Sequence, residues 1–271
     1  MTPEALPAAT IILLRETDTA LKVFMQERHR DTQAFSSMLV FPGGKVHAGD
    51  RQFEWRDYCS GCDDTDAEQL AHQVAAIRET FEECGVLLAR GDGEENLLGG
   101  ERVAGLAAYR ARLQAGELHF IEFVQQQRLR LACDKLAYFA RWITPKFESR
   151  RFDTRFFLAR VPPSQQELLG HDGYEAVNSI WIDPQQAVKD AQAGRRKLIF
   201  PTIRNLERLA QYPTVALAQQ GCAATPVSTI EPVVEEREDG VYVRIPKDAG
   251  YPVCEERIPD AVLKMLLASK P

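Results

Sequence analysis

The chain has 271 residues, and its 33 lysines and arginines against 39 aspartates and glutamates give a formal net charge of −6. A domain of this length buries most of the surface that its unfolded chain exposes, and six cysteines are too sparse for a disulfide scaffold. The acidic balance argues against binding nucleic acid through bulk charge, no apolar run approaches the roughly 20 residues of a membrane span, and the N-terminus lacks the pattern of a signal peptide. We therefore expect a cytoplasmic protein of enzymatic size with no nucleic-acid or membrane partner.

The first part of the chain predicts a β-hairpin followed by a short third strand. Apolar and β-branched residues at about 9–14 and 21–26 flank a turn signal, as in a hairpin with a buried face. The apolar segment 38–41 is then stopped by Pro42, Gly43 and Gly44, residues that punctuate the backbone strongly.

The middle of the chain is predicted to be mainly helical. A helix is expected from about residue 66 to 89, because its apolar residues recur at spacings of three and four and so share one face. This stripe consists of Val74, Ile77, Phe81, Cys84 and Leu88. A polar loop at 91–101 precedes two further predicted helices, at about 102–115 and 118–130.

The last part of the chain returns to strands and ends in an irregular segment. Strands are predicted at 135–144, 154–161 and 176–182, and helices at about 184–193 and 201–212. Beyond Pro213, prolines and charged residues predict an irregular extension with a hairpin across Asp239 and Gly240.

Three glutamates on the first predicted helix are the most informative chemical feature. Glu79 lies three and four residues before Glu82 and Glu83, so the carboxylates share a helical face and repel one another. Arg78 can pair with Glu82 but cannot neutralise all three anions, whereas a hard divalent cation prefers such oxygen ligands. The alternative is a solvated acidic face, which is the commoner origin of this spacing taken alone.

The context of these glutamates resembles the Nudix box. A glycine turn, Phe41-Pro42-Gly43-Gly44-Lys45, precedes the run Arg78-Glu79-Thr80-Phe81-Glu82-Glu83-Cys84-Gly85-Val86. The family pattern has Gly, five residues, Glu, seven residues and then Arg-Glu-U-x-Glu-Glu-x-Gly-U, in which U is bulky and aliphatic. Here Asp50 stands where the family usually has Glu, Thr80 replaces an aliphatic residue, and twenty-seven residues instead of seven separate Asp50 from Arg78.

A box interrupted by about twenty residues resembles the coenzyme A diphosphatase subgroup, typified by the mammalian peroxisomal enzyme. The resemblance covers about residues 8–212. The matching stretches follow in order at residues 40–44, 48–50, 76–88, 142–145 and 151–158, and Glu175 lies six residues before Trp181.

The resemblance implies an α/β fold, a Nudix-type α/β/α sandwich with a mixed central sheet. We expect a Nudix hydrolase domain over residues 1–212, with an insertion at about 51–74. Residues 213–271 are expected to be a C-terminal extension and not an independent domain. The extension could cover the cleft, supply a contact for a homodimer or form a small satellite, and the sequence leaves these roles open.

The implied activity is hydrolysis of the diphosphate bond in a nucleoside diphosphate derivative, dependent on Mg²⁺ or Mn²⁺. The favoured substrate is coenzyme A or an acyl-coenzyme A, which would give 3′,5′-ADP and 4′-phosphopantetheine or its acyl form. The alternatives are a diphosphatase for ADP-ribose, NADH or capped nucleotides, and a nucleotide-sensing Nudix domain without catalysis.

The resemblance also implies the roles of the site residues. Glu79, Glu82 and Glu83 would bind the metal with the backbone carbonyl of Gly43, and Arg78 would orient a glutamate. The catalytic set is then Arg78, Glu82, Glu83 and Glu175. Glu175 is a candidate metal ligand or general base, the alternative being a surface glutamate, and Asp50 is expected to be structural.

Candidate substrate contacts are basic residues together with the backbone at Gly44. Arg28, Arg151 and Arg155 could bind substrate phosphates, because a guanidinium suits phosphate oxygens. Each could equally be an ordinary surface arginine. The pair Cys59 and Cys62 could be half of a zinc site or a redox pair, but no second pair has suitable spacing.

Overall fold

The computed structural model describes residues 3–17, 20–28, 38–170 and 176–258. Its strands are β1 (Leu6–Glu16), β2 (Leu21–Arg28), β3 (Leu39–Val40), β4 (Gly43–Lys45), β5 (Ala89–Gly91), β6 (Leu129–Leu131), β7 (Ala137–Ile143), β8 (Phe152–Arg160), β9 (Ala176–Ile182), β10 (Thr229–Ile230), β11 (Val233–Arg237), β12 (Gly240–Arg244) and β13 (Glu255–Arg257). Its α-helices are α1 (Ala67–Cys84), α2 (Gly100–Ala104), α3 (Ala107–Gln114), α4 (Phe120–Gln126), α5 (Pro184–Gln192), α6 (Phe200–Leu209) and α7 (Val215–Ala224).

The centre of the described molecule is an eight-stranded mixed sheet. Six strands lie in the order β10-β7-β8-β1-β2-β3, while β4 pairs with β1 and β9 pairs with β2. The pairs β1–β8 and β7–β10 are parallel, and the other pairs are antiparallel. The first two strands form the predicted hairpin.

Helices cover both faces of this sheet because its central strand is apolar on both sides. Residues 11–14 of β1 are fully buried, as expected for a strand packed on both faces. Ile11 and Leu13 belong to one core with α1, whereas Ile12 and Leu14 belong to a second core with α5, α6 and α7. The predicted α/β/α sandwich is therefore confirmed.

The helix α1 is shorter at its C-terminal end than the apolar stripe predicts. Its first turn is capped by Asp66, whose carboxylate accepts the backbone N–H of Gln69 at 2.7 Å. Gly85 adopts φ +77°, a left-handed conformation that ends a helix. The predicted continuation to residue 89 is wrong, although Leu88 is buried as its place in the stripe predicts.

The segment between the two halves of the box packs into the core. Residues 67–74 of the predicted insertion already belong to α1, while the residues before them form the short 3₁₀ helices Ala48–Arg51 and Phe53–Tyr58. Trp55 is 1% exposed, and its indole N–H donates to the carbonyl of Gly49 at 2.8 Å. This segment is thus packed into the same core as α1.

The predicted single helix at 102–115 is wrong, since the structure has two. Leu106 leaves helical geometry, with ψ near 6°, between α2 and α3.

None of the helices in the described ranges combines the length and apolar content that a bilayer span needs.

The chain beyond residue 212 is joined to the main sheet. Strand β10 adds to its edge beside β7, and β11 to β13 form a small antiparallel sheet that contains the predicted hairpin. Tyr251 is buried, and its hydroxyl donates to Asn205 Oδ1 at 2.7 Å and accepts the indole N–H of Trp142 at 3.1 Å. A polar cluster therefore ties the extension to α6 and β7.

We predict that Tyr251→Phe lowers the free energy of unfolding by about 1–2 kcal/mol, because two buried hydrogen bonds lose their shared hydroxyl. Urea denaturation of both proteins measures the difference. Tyr242→Phe is the matched control, since the hydroxyl of Tyr242 bonds Asp239 at the surface. An equal effect of the two substitutions would show that the Tyr251 cluster does not anchor the extension.

Candidate active site

The fold brings the two halves of the interrupted motif into contact. The backbone N–H of Gly43 in β4 donates to Glu83 Oε2 at 3.1 Å. A Cβ at Gly44 would overlap the carboxylate of Glu79, and a Cβ at Gly43 would overlap the backbone of β1 at Ala9. Gly43 has no room for a side chain because β4 lies directly against the backbone of β1, whereas Gly44 lets the carboxylate of Glu79 approach the turn.

A buried ion network fixes this contact. Arg78 is 5% exposed, and its Nε and Nη2 donate to the two oxygens of Asp50, each at 2.9 Å. The same guanidinium donates through Nη2 to the carbonyl of Lys45 at 3.0 Å, and through Nη1 to Glu79 at 2.9 Å and Glu82 at 3.2 Å. One arginine therefore joins α1, the turn after β4 and two of the three glutamates.

The electrostatics of the site are set by burial of like charges. Burial raises the pKa of Glu79, and it raises the pKa of Glu82 to about 7, although the charge of Arg78 opposes both shifts. Burial alone would lower the pKa of Arg78, but the bonds and charges of its carboxylate partners outweigh burial and raise that pKa. The carboxylates are thus crowded beyond what one arginine compensates.

The donor set suits a hard divalent cation in chemical type. As the side chains stand, no group of three or more His, Cys, Asp or Glu among the described residues is arranged to hold a metal ion. Glu79 and Glu82 turn toward Arg78, while Glu83 turns toward the N–H of Gly43. The carboxylate of Glu79 nevertheless lies directly against Gly44, and that of Glu83 accepts the N–H of Gly43. Carboxylate oxygens are the ligands that a hard divalent cation prefers, so these residues fit Mg²⁺ or Mn²⁺ in donor chemistry.

Two of the predicted phosphate-binding arginines have hydrogen-bond partners within the protein. Arg151 is buried and donates to the carbonyls of Thr144 and Pro3 and to Glu231, each at 2.9 Å. Arg155 donates to Gln69 in α1, which lies ten residues and so roughly 15 Å along the helix from Glu79. Both guanidinium groups hold protein segments together.

For two other predicted site residues the structure does not describe the side chain. Arg28 ends β2, but its side chain lies outside the described residues. Glu175 also lies outside them, in the undescribed stretch 171–175.

The structure adds contacts that sequence patterns did not reveal. Arg110 and Gln114 of α3 donate to the backbone carbonyls of Glu82 and Glu83 at the end of α1. These partners are 27 to 32 residues apart in the chain, and no local pattern signals the pairing.

The Cys59 and Cys62 pair gains a third neighbour. Cys133 lies in the same core, because the backbone of Ser60 bonds those of Leu131 and Asp134. Burial raises the pKa of Cys62, and a bond from Cys59 together with burial raises that of Cys133, so both thiols are less reactive than a free cysteine.

The chain belongs to the Nudix hydrolases. The sequence model described as the NUDT19 Nudix domain matches residues 59–209, more than half of the chain. Nudix hydrolases cleave diphosphate bonds and generally use divalent metals, and the chain is an enzyme of this class.

Several relatives carry the name acyl-coenzyme A diphosphatase NUDT19. The Xenopus laevis protein is 23% identical over 85% of this chain and 71% of its own length. The Homo sapiens protein is 26% identical over 78% of this chain and 67% of its own length. A NUDIX hydrolase structure from Alicyclobacillus acidocaldarius, 25% identical, covers 81% of this chain and 97% of its own, with a TM-score of 0.63.

We predict that Asp50→Asn lowers the free energy of unfolding by about 3 kcal/mol, because it leaves the buried guanidinium of Arg78 without its main anion. The exposed pair of Arg51 and Glu68 supplies the control, since Glu68→Gln should cost less than about 1 kcal/mol. Chemical denaturation in EDTA compares the variants. A loss for Asp50→Asn no larger than the control would contradict the role of this ion pair.

We also predict a pH dependence of stability in the metal-free protein. Glu82 holds its proton more tightly in the folded state, with a pKa raised from 4.5 to about 7, so it destabilises the fold progressively as pH rises through that range. In EDTA, wild type should therefore lose more stability between pH 5 and pH 7 than Glu82→Gln does. Urea melts at each pH measure this difference, and identical slopes would contradict the burial of charge at Glu82.

Proposed function

We propose that the chain hydrolyses the diphosphate of coenzyme A or of acyl-coenzyme A. The products would be 3′,5′-ADP and 4′-phosphopantetheine or its acyl form. The observation that carries the proposal is the convergence of Glu79 and Glu83 on the glycine turn of β4. The choice of coenzyme A is supported by the names of the acyl-coenzyme A diphosphatase relatives.

The proposed reaction consumes one water, and a few residues have separate roles in it. Water adds to one phosphorus, the bridging P–O bond breaks, and two phosphate monoesters form. Glu79, Glu82, Glu83 and the carbonyl of Gly43 would hold Mg²⁺ or Mn²⁺. Such ions, when bound, neutralise charge on the diphosphate and lower the pKa of bound water.

The other roles follow from position. Arg78 holds Glu79 and Glu82 in place through its own anchor on Asp50. From its place in the sequence we propose Glu175 as the carboxylate that takes the proton from water or reaches the metal.

The substrate contacts retained in this proposal are Arg28 and Gly44. Arg28 would bind a phosphate of the substrate, and Gly44, which lies directly against the carboxylate of Glu79, would contact the substrate through its backbone. Arg151 and Arg155 are not included, because their donors hold the N-terminal segment and α1.

We further infer that residues 213–258 form one unit with the Nudix core and are not an independent domain. This inference is supported by the pairing of β10 with β7 and by the buried contact of Tyr251 with Asn205.

A panel of diphosphates incubated with Mg²⁺ or Mn²⁺ tests the substrate. Coenzyme A, acetyl-coenzyme A, ADP-ribose, NADH and a capped dinucleotide are compared by chromatography of their products. We expect 3′,5′-ADP from the coenzyme A compounds at a higher kcat/KM than for the others, and hydrolysis in ¹⁸O-water identifies the attacked phosphorus. A preference for ADP-ribose, NADH or the cap would overturn the coenzyme A assignment and leave the diphosphatase activity.

We predict that Glu83→Gln lowers kcat by about 100-fold or more, because it removes a charge from the proposed metal site while keeping the side chain's shape. The thermal midpoint in EDTA should remain close to that of wild type. Glu101→Gln is the control, since Glu101 is an exposed glutamate of α2. Full activity in Glu83→Gln would sink the proposed role of this carboxylate.

A further inference from the structure

Two of the three proposed metal-binding glutamates lie in the last turn of α1. The helix ends at Cys84, so Glu82 and Glu83 are among the residues whose carbonyls have no partner within the helix. Helix ends open locally at little cost, whereas metal ligands must keep their positions within about 0.5 Å. The fold must therefore hold this turn by contacts from outside the helix.

The helix α3 supplies most of these contacts through one arginine. Arg110 Nε donates to the carbonyl of Glu82 at 2.9 Å, and its Nη2 donates to the carbonyl of Glu83 at 2.8 Å. Gln114, one turn further along α3, also donates to the carbonyl of Glu82. A single planar guanidinium thus donates hydrogen bonds to the backbone carbonyls of both glutamates.

Gly85, which has no side chain, leaves space for the guanidinium of Arg110. A Cβ at Gly85 would lie 3.1 Å from Arg110 Nη1, closer than ordinary packing allows. The carboxylate sides of Glu82 and Glu83 are held separately, by Arg78 and by the N–H of Gly43. The backbone and the carboxylates of the two glutamates are consequently fixed by different parts of the chain.

The charge of Arg110 also suits its place. The C-terminal end of a helix carries partial negative charge, and a cation there is favourable. Here that end additionally carries the carboxylates of Glu82 and Glu83, so a neutral capping group would satisfy the carbonyls but would not offset the charge.

We propose that Arg110 is a positioning residue for the active site, which locks the last turn of α1 so that Glu82 and Glu83 stay aligned for the metal. This proposal rests on the metal role proposed for these glutamates. It assigns a function to residues 107–114, which lie outside both halves of the box.

The test compares Arg110→Gln and Arg110→Lys with Arg112→Gln. Arg112 is an exposed arginine of the same helix, and its side chain forms no bond or ion pair within the described part of the chain. Mn²⁺ affinity is measured without substrate by electron paramagnetic resonance of the free ion, folding by thermal melts in EDTA, and kcat and KM with coenzyme A.

We expect Arg110→Gln to weaken Mn²⁺ binding by about 10-fold or more and to lower kcat more than it raises KM, as for other residues that orient metal ligands. Arg110→Lys, which keeps the charge but loses the fork, should be intermediate, and Arg112→Gln should match wild type.

A folded Arg110→Gln protein with wild-type Mn²⁺ affinity and kcat would overturn the proposal, even if its thermal midpoint falls, because Arg110 would then only cap the helix. If Arg110→Gln does not fold, wild-type Mn²⁺ affinity in Arg110→Lys overturns it. If wild type does not hydrolyse coenzyme A while the Arg110 variants still bind Mn²⁺ weakly, the substrate assignment fails and the positioning role stands.

Discussion

The site depends on one buried guanidinium. Arg78 bonds both oxygens of Asp50, the carbonyl of Lys45 and the carboxylates of Glu79 and Glu82. Burying an ion pair costs desolvation, so such a pair contributes little net stability, but removing one partner leaves an uncompensated charge. Its value here is geometric, since no other single group described in the structure touches both the turn after β4 and the glutamates of α1.

The contacts of Arg78 also explain how the fold tolerates several buried acidic side chains close together. Burial of the carboxylate raises the pKa of Glu82, the neighbouring charge of Glu79 adds to the rise, and Arg78 opposes it without cancelling it. The glycines at the turn let β4 lie directly against β1 and the carboxylate of Glu79. The fold thus maintains a buried acidic site whose negative charge is relieved by protonation of Glu82 or by a further cation.

Sequence patterns predicted what is local and missed what is brought together by folding. The apolar run of β1 and the spacing of the three glutamates are local features, and they predicted the buried strand and the shared helical face correctly. Helix ends are set by single residues, so the pattern overran Gly85 and missed the break at Leu106. The role of an arginine depends on where its donors lie in the folded chain, so the sequence alone reveals neither the internal partners of Arg151 nor the contact of Arg110 with the end of α1.

The segments outside the two halves of the box contribute in different ways, two by packing on the core and one by hydrogen bonds to the glutamates of α1. The segment after Asp50 buries Trp55, and the C-terminal extension buries Tyr251 against α6 and β7. The stretch between β5 and β6 supplies Arg110, which holds the backbone of the glutamates. The two halves of the interrupted box therefore meet in space, because Arg78 bonds Asp50 across the residues inserted between them.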